Sequence, residues 1–347
     1  MRIWVQRILI MVLVVSLMTG SGPVFAAQTT QPPTEAATQP PTEIPTESET
    51  EPPTEPETLP TYTVDTGSAM YQLCDAMAEG MEFDQLMVYD ATNDEMLYTN
   101  SREGSKLYPA SVTKLFSAYV ALQHLAPEEL VTAGDELKLV HAGSSVAYIG
   151  KGHQLYVKSL VEGMMLPSGN DAAIVLAVAA GRKIAEDARL DPEEAVQVFV
   201  REMNRTAKEL DFERTHFSNP DGWHSGSHYT CLNDMARIAK LALENQTISR
   251  YIRIFEDKVR FPSGHLVEWE NTNELLDPEG PHYRGDAIGM KTGYTRQAEY
   301  CLMSAIRCSD GKILVIGVFG YADKDQRFTE VNRLATACKA QLKKESK

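Results

Sequence analysis

Apolar positions recur along this chain in two periods, and the changes between them mark the elements. Residues 68–81 carry apolar side chains at helical spacing. Residues 85–90 (Gln-Leu-Met-Val-Tyr-Asp) are β-rich, residues 91–95 are turn formers, and 96–99 resume the strand, which predicts a hairpin. Residues 115–125 are again apolar at helical spacing. Residues 171–180 are almost wholly apolar and alanine-rich and stop at Gly181, the pattern of a buried helix. An amphipathic helix is predicted over 192–210, with Pro192 in its first turn, and another over 232–243. The apolar runs 300–307 and 313–319 flank Ser309-Asp310-Gly311 and predict an antiparallel hairpin, and 332–342 close the chain as a helix. Strands near both ends with helices between them predict an α/β (α+β) unit: one sheet built from both termini and a helical insertion. No internal repeat is visible in this region.

The first 66 residues follow neither period. Residues 1–26 hold basic Arg2 and Arg7, the apolar run 8–18, and small residues up to Val24-Phe25-Ala26. This is the pattern of a secretory signal peptide cut after Ala26 or Ala27. The apolar run falls short of the roughly 20 residues of a membrane span, so an uncleaved anchor is the lesser alternative. No cysteine stands at the cleavage site for lipid attachment. Residues 27–66 are rich in Pro, Thr and Glu, with Pro-Pro-Thr-Glu at 32–35, 40–43 and 52–55. Such a stretch has too little to bury to offset ordering, and its prolines and repelling glutamates stiffen it. It reads as a disordered spacer that holds residues 67–347, the folded domain, away from a membrane or within a cell wall.

The chain carries −15. Residues 67–347 retain about −9 once the two leader arginines and the eight spacer acids are set aside. A nucleic-acid partner is excluded, because phosphate binding needs a basic face. About 280 residues are many for one core but acceptable for a sheet unit with a helical lobe. The five cysteines (Cys74, Cys231, Cys301, Cys308, Cys338) are too few and too irregular for a disulfide framework, and no C-x-x-C occurs. They read as buried thiols, or as one bridge between Cys74 and Cys338 if the two terminal helices pack side by side.

Three short motifs carry the chemistry: Ser111-Val-Thr-Lys114, Ser168-Gly-Asn170 and Lys291-Thr292-Gly293. Pro109 is tolerated only at a helix start, which places Ser111 in the first turn with Lys114 on the same face. A serine needs a base to become a nucleophile, and a lysine serves only if burial or nearby positive charge lowers its pKa. Lys291 is a candidate source of that charge. Ser168 and Asn170 stand on a Pro- and Gly-bracketed loop ahead of the buried helix, a hydroxyl to relay a proton and an amide to hold a substrate amide. Lys291 and Thr292 suit a carboxylate, and Gly293 admits close backbone approach on an edge strand. The Tyr294 and Ser111 N–H groups suit an oxyanion hole. Each motif alone has a plain reading: an N-terminal serine with a surface lysine, a helix cap, a bent edge strand. The three in this order define a serine acyl-transfer site, with no cofactor and no metal required. His224 and His228 are four apart but straddle Gly226, so they read as loop residues rather than metal ligands. Asp171 reads as a helix N-terminal charge rather than an acid catalyst.

With these motifs the chain resembles the low-molecular-mass penicillin-binding proteins, serine-type D-Ala-D-Ala carboxypeptidases. The likeness runs from about residue 85 to 334. It takes in Y-P-A-S-V-T-K, L-P-S-G-N-D-A-A, F-V-R-E-M-N-R-T-A-K-E-L, F-S-N-P-D-G-W, N-T-N-E-L-L and G-M-K-T-G-Y-T. The resemblance implies a β-lactamase/DD-peptidase-like fold: an antiparallel sheet packed by helices, an all-helical lobe, and the site in the cleft between. It implies that Ser111 is acylated, Lys114 is its base, and Ser168 shuttles the proton. Asn170 would orient the peptide, and Lys291 with Thr292 would bind the terminal carboxylate. The chain departs from the family at Trp223, commonly Leu, and at Glu299, commonly Gly. It ends soon after the catalytic domain, where many relatives continue into a β-rich domain and an amphipathic membrane helix.

The expected function is removal of the terminal D-Ala from peptidoglycan stem peptides outside the cytoplasm, with β-lactams as inhibitors. Membrane contact is expected only through an uncleaved N-terminal segment. A β-lactamase needs a water-activating Glu, for which no E-x-x-L-N loop is found; Glu202 falls in a predicted helix. A non-catalytic sensor or wall-binding module would carry a damaged motif or a second span, and neither is visible. An endopeptidase or transpeptidase would use the same residues.

Overall fold

The computed structural model describes residues 62–101, 105–212 and 214–345. The leader and most of the spacer lie outside them. Residues 62–66, read above as spacer, are described, and Tyr62 packs its ring edge-on to Tyr89 with centroids 5.7 Å apart and donates a 2.8 Å hydrogen bond to Asp94. The packed unit therefore takes in Tyr62.

In chain order the elements are α1 (Ala69–Ala78), β1 (Gln85–Asp90), β2 (Glu95–Thr99), a 3-10 turn (Ala110–Thr113) and α2 (Lys114–Ala121). Next come β3 (Leu130–Thr132), β4 (Gln154–Tyr156), α3 (Val157–Met165), α4 (Asn170–Ile184), α5 (Pro192–Glu209), α6 (Leu232–Glu244) and α7 (Gln246–Tyr251). The chain closes with β5 (Glu256–Arg260), β6 (Leu266–Glu270), β7 (Ala287–Thr295), β8 (Glu299–Arg307), β9 (Ile313–Tyr321) and α8 (Gln326–Glu345). Among the described residues no helix is long and apolar enough to cross a membrane.

The main sheet has the order β2-β1-β9-β8-β7, with every neighbouring pair antiparallel. It is built from both ends of the chain, as the hydrophobic periods imply. Its strands are apolar on both faces because both are covered. Leu86, Val88, Leu302, Leu314, Ile316 and Val318 point into one core with α1 and α8. Met87, Tyr89, Met303, Ala305, Val315 and Phe319 point into the other, shared with the helical lobe. That lobe is α2 to α7, and it also carries the short hairpins β3–β4 and β5–β6. Three-residue strands such as β3 leave too short a period to read in sequence.

Helix starts follow local chemistry. Ser68 caps α1 by accepting from the Tyr71 N–H, and Asp191 caps α5 ahead of Pro192. Gly181 does not end α4, which runs on to Ile184. It is there because α5 crosses so closely that a Cβ would lie 1.9 Å from the Ala195 carbonyl oxygen. Gly181→Ala is therefore expected to force α4 and α5 apart and to destabilise the fold by about 3 kcal/mol, read by urea unfolding.

Candidate active site

Pro109 precedes the nucleophile turn, and the turn is 3-10 rather than α-helical over Ala110–Thr113. In that tighter winding residues i and i+3 eclipse. The Lys114 Nζ consequently lies 2.8 Å from the Ser111 Oγ. Lys114 is fully buried, and its Nζ also donates to the Asn170 Oδ1 and to the Asp221 carbonyl oxygen, both at 2.7 Å. Those two oxygens only accept. A neutral amine has two N–H donors for them, and its lone pair is left for the serine proton. Burial pushes the Lys114 pKa down to about 8, against a smaller upward pull from Asp221 and Asp171. Desolvation is thus the main cause; the positive charge of Lys291, expected above as a source, is not needed to account for it.

The second motif leaves α3 through Leu166-Pro167 and enters α4. Ser168 is buried with φ at 63°, a left-handed conformation that costs a non-glycine residue of order 1 kcal/mol or more. Neighbouring bonds hold it there: the Ser145 Oγ donates to the Ser168 carbonyl and the Asn170 N–H to the Ser145 carbonyl, each at 2.8 Å. Asp171 accepts from the Ala147 and Ile149 N–H groups at 2.7 and 2.9 Å, so it pins the 145–150 loop and takes no place in the cavity. Ala110 beside Ser111 (φ 47°) and Met290 beside Lys291 (φ 144°) are also at positive φ. Backbone strain therefore adjoins all three motifs.

The third motif lies on β7, the free edge of the sheet. A Cβ on Gly293 would stand 3.2 Å from the Ser111 nitrogen, so only glycine lets this strand pass against the nucleophile turn. Tyr294 follows, exposed and stacked on Tyr300 with centroids 4.5 Å apart. The Thr292 hydroxyl bonds the Thr272 hydroxyl. Lys291 is fully buried and donates to the Thr292 carbonyl at 3.1 Å, beneath the cavity wall rather than in it. Burial, then the charges of Lys114 and Arg327, hold its pKa well below the usual lysine range.

A fourth segment completes the cleft. Residues 217–228 fold over the Ser111 turn, and Gly222 (φ 84°) comes so near that a Cβ would lie 1.9 Å from the Ala110 carbonyl oxygen. The Ser117 Oγ donates to the Pro220 carbonyl at 2.7 Å. His228 is buried; its Nδ1 accepts from the Ser218 N–H at 3.1 Å, so its Nε2–H donates to the Thr113 hydroxyl at 2.8 Å. Burial lowers its pKa to about 3, which keeps it neutral. His224 stands apart, edge-on to Tyr108 at 4.8 Å. Trp223 stacks on His141 at 4.4 Å on the cavity rim.

These parts enclose a cavity of about 910 Å³ lined by Ser111, Ser168, Asn170, Thr292, Gly293 and Tyr294. It is also lined by Arg327, which the sequence reading missed. This buried guanidinium on α8 donates to the Cys301 carbonyl at 2.9 Å and to the Gly293 carbonyl at 3.4 Å. It makes no ion pair among the described residues, and burial lowers its pKa to about 10. No motif announces it; only the packing of α8 behind β8 brings it to β7. Glu202 does not line the cavity: it is bonded to His124 and Arg205. Among the described residues one group could share an ion, Glu274 with His282 and Asp325, but Lys324 already pairs with Glu274 at 2.9 Å.

A serine beside a buried lysine, in a cleft between a five-stranded sheet and a helical lobe, is the arrangement of the DD-peptidase fold. The D-alanyl-D-alanine carboxypeptidase family, Peptidase S11, matches residues 75–321, and the chain belongs to it. It is 30% identical over 243 residues to the D-alanyl-D-alanine carboxypeptidase DacF of Bacillus subtilis (strain 168), covering 69% of this chain and 58% of that one. It is 33% identical over 218 residues to the D-alanyl-D-alanine carboxypeptidase of Streptomyces sp. (strain K15), covering 60% and 71%. The crystal structure of the Streptomyces K15 DD-transpeptidase superposes with a TM-score of 0.66 at 26% identity, over 75% of this chain and 98% of that one. The chain spans little more than half the length of DacF.

Trp223 and Glu299, singled out in the sequence, each have a structural account. Glu299 is left-handed at φ 51°, where a glycine is free of strain. Trp223 gains its stacking partner in His141.

The geometry makes Ser111 reactivity follow the neutral form of Lys114, which grows as pH rises through its folded pKa of about 8. Acylation of Ser111 by a chromogenic β-lactam, measured from pH 5.5 to 9.5, is expected to rise about tenfold per unit at the acid end and to level off above about 8. Lys114→Arg, which keeps the charge and cannot deprotonate, is expected to lower the plateau rate above pH 8 about 10³-fold and to remove the rise from the acid end.

Proposed function

We propose that this protein is a serine D-alanyl-D-alanine carboxypeptidase that removes the terminal D-Ala of peptidoglycan stem peptides. The observation that carries the reading is the 2.8 Å approach of a fully buried lysine amine to the Ser111 hydroxyl. The electrostatics of the cleft support it. Lys114, Lys291 and Arg327 converge without a carboxylate paired to any of them among the described residues, which suits a substrate that brings its own anion.

In this reading the terminal carboxylate of the peptide lies against the Thr292 hydroxyl and the Arg327 guanidinium, with Lys291 adding charge from beneath. The Asn170 Oδ1 is held by Lys114, so its Nδ2 faces a substrate carbonyl. The scissile carbonyl oxygen sits between the Ser111 and Tyr294 N–H groups, where charge develops as Oγ attacks. Lys114 takes the Oγ proton. The Ser168 hydroxyl passes a proton to the leaving amine, D-Ala departs, and water cleaves the Ser111 ester. A β-lactam enters the same ester and leaves slowly, and Glu202, a glutamate after the middle motif, does not line the cavity. Residues 1–26 act as the export signal and the following spacer carries the domain outside the cytoplasm. The mature chain, weighed from culture, is expected to begin at Ala27 or Gln28.

D-Ala release from a peptide ending in D-Ala-D-Ala tests the reading. Ser111→Ala is expected to reduce it to background with the circular dichroism unchanged. Arg327→Leu is expected to raise KM about 30-fold for that peptide and to change little for its C-terminal amide. Release at the wild-type rate by Ser111→Ala contradicts the assignment.

A further inference from the structure

Cys74 and Cys338 lie on α1 and α8, the two helices that cover the outer face of the sheet. Both are fully buried, and their sulfurs are 3.6 Å apart although 264 residues separate them in sequence. Around them Met70, Phe328, Val331, Leu334 and Ala335 fill the space between the helices, so the pair sits inside a packed interface. A disulfide sets its sulfurs about 2 Å apart, so these sulfurs, already in contact, need only a short further approach to bond.

We propose that Cys74 and Cys338 are a disulfide site, closed when the chain folds in oxidising surroundings, that staples the first helix of the domain to the last. Closing the bond removes one hydrogen from each thiol. Two electrons and two protons pass in all to the disulfide of an exchange partner, glutathione disulfide or a protein disulfide, which leaves as two thiols. The hydrogen bond to Cys338 and then burial hold the Cys74 thiol far above its ordinary pKa. Exchange needs a thiolate, so the bond forms before α1 docks and is shielded afterwards. The staple holds α8, whose first turn carries Arg327 into the cleft.

The site does not rest on the carboxypeptidase reading, and its test uses no activity. The full chain is denatured, reduced, and refolded with and without a glutathione redox buffer. Thiols are then alkylated under denaturing conditions and the peptides mapped. Oxidised refolding is expected to leave three of the five cysteines reactive and to yield one linked peptide pair containing Cys74 and Cys338. The oxidised protein is expected to melt on the order of 10 °C above the reduced one, as for a bond closing a long loop. Cys74→Ala should show four reactive thiols and a melting temperature indifferent to reductant; Cys338→Ser serves if that variant does not fold. Five reactive thiols after oxidised refolding, or a link between any other pair, overturns the proposal.

Discussion

Everything in the cleft depends on keeping one lysine amine out of water. An exposed Lys114 would stay protonated and hold the serine proton in place. Burial lowers its pKa to about 8, but a buried amine needs its donors satisfied, and this requirement draws the surrounding chain together. Asn170 comes from the start of α4 and the Asp221 carbonyl from the loop after α5. Each must reach within hydrogen-bond distance of a lysine that begins α2. The left-handed backbone at Ala110 and Ser168 follows from that convergence. Packing supplies the energy that holds it, through Gly222 against the Ala110 carbonyl and His228 against Thr113.

The sheet side contributes charge rather than a base. Lys291 is buried beneath Thr292, and Arg327 reaches the same strand from α8. Burial first, and then the charges of Lys114 and Arg327, depress the Lys291 pKa, while Asp221 and Asp171 pull Lys114 the other way. In the proposed reading a substrate carboxylate would offset the repulsion among these cations. The Ser111 turn and the sheet meet at Gly293, where the missing side chain lets β7 pass against Ser111.

Much of this was legible in the sequence, for identifiable reasons. Strands covered on both faces show as dense apolar runs, so β1, β8 and β9 were readable, and the spacing of Ser111 and Lys114 implied their contact. Gly181 misled because a glycine that admits a crossing helix looks the same as one that stops a helix. The 3-10 form of the Ser111 turn was not readable, since Pro109 suits the start of either helix. Arg327 and the Asp221 carbonyl were hidden for opposite reasons. The arginine is 36 positions beyond Lys291 and gains its place only through tertiary packing. The carbonyl is a group that every residue possesses, selected by the loop's path alone. Lys291, expected from its motif to bind the carboxylate with Thr292, is buried beneath Thr292, while Thr292 and Arg327 line the cavity.

The central claim is that Lys114 is a base because the fold dehydrates it. The most direct measurement is the titration of its own side chain, followed by the 13Cε resonance in lysine-labelled protein and assigned with Lys114→Arg. The account predicts a midpoint near 8, well below the ordinary lysine value. A midpoint at or above the ordinary value of about 10.4 would contradict it and would require another group to take the Ser111 proton.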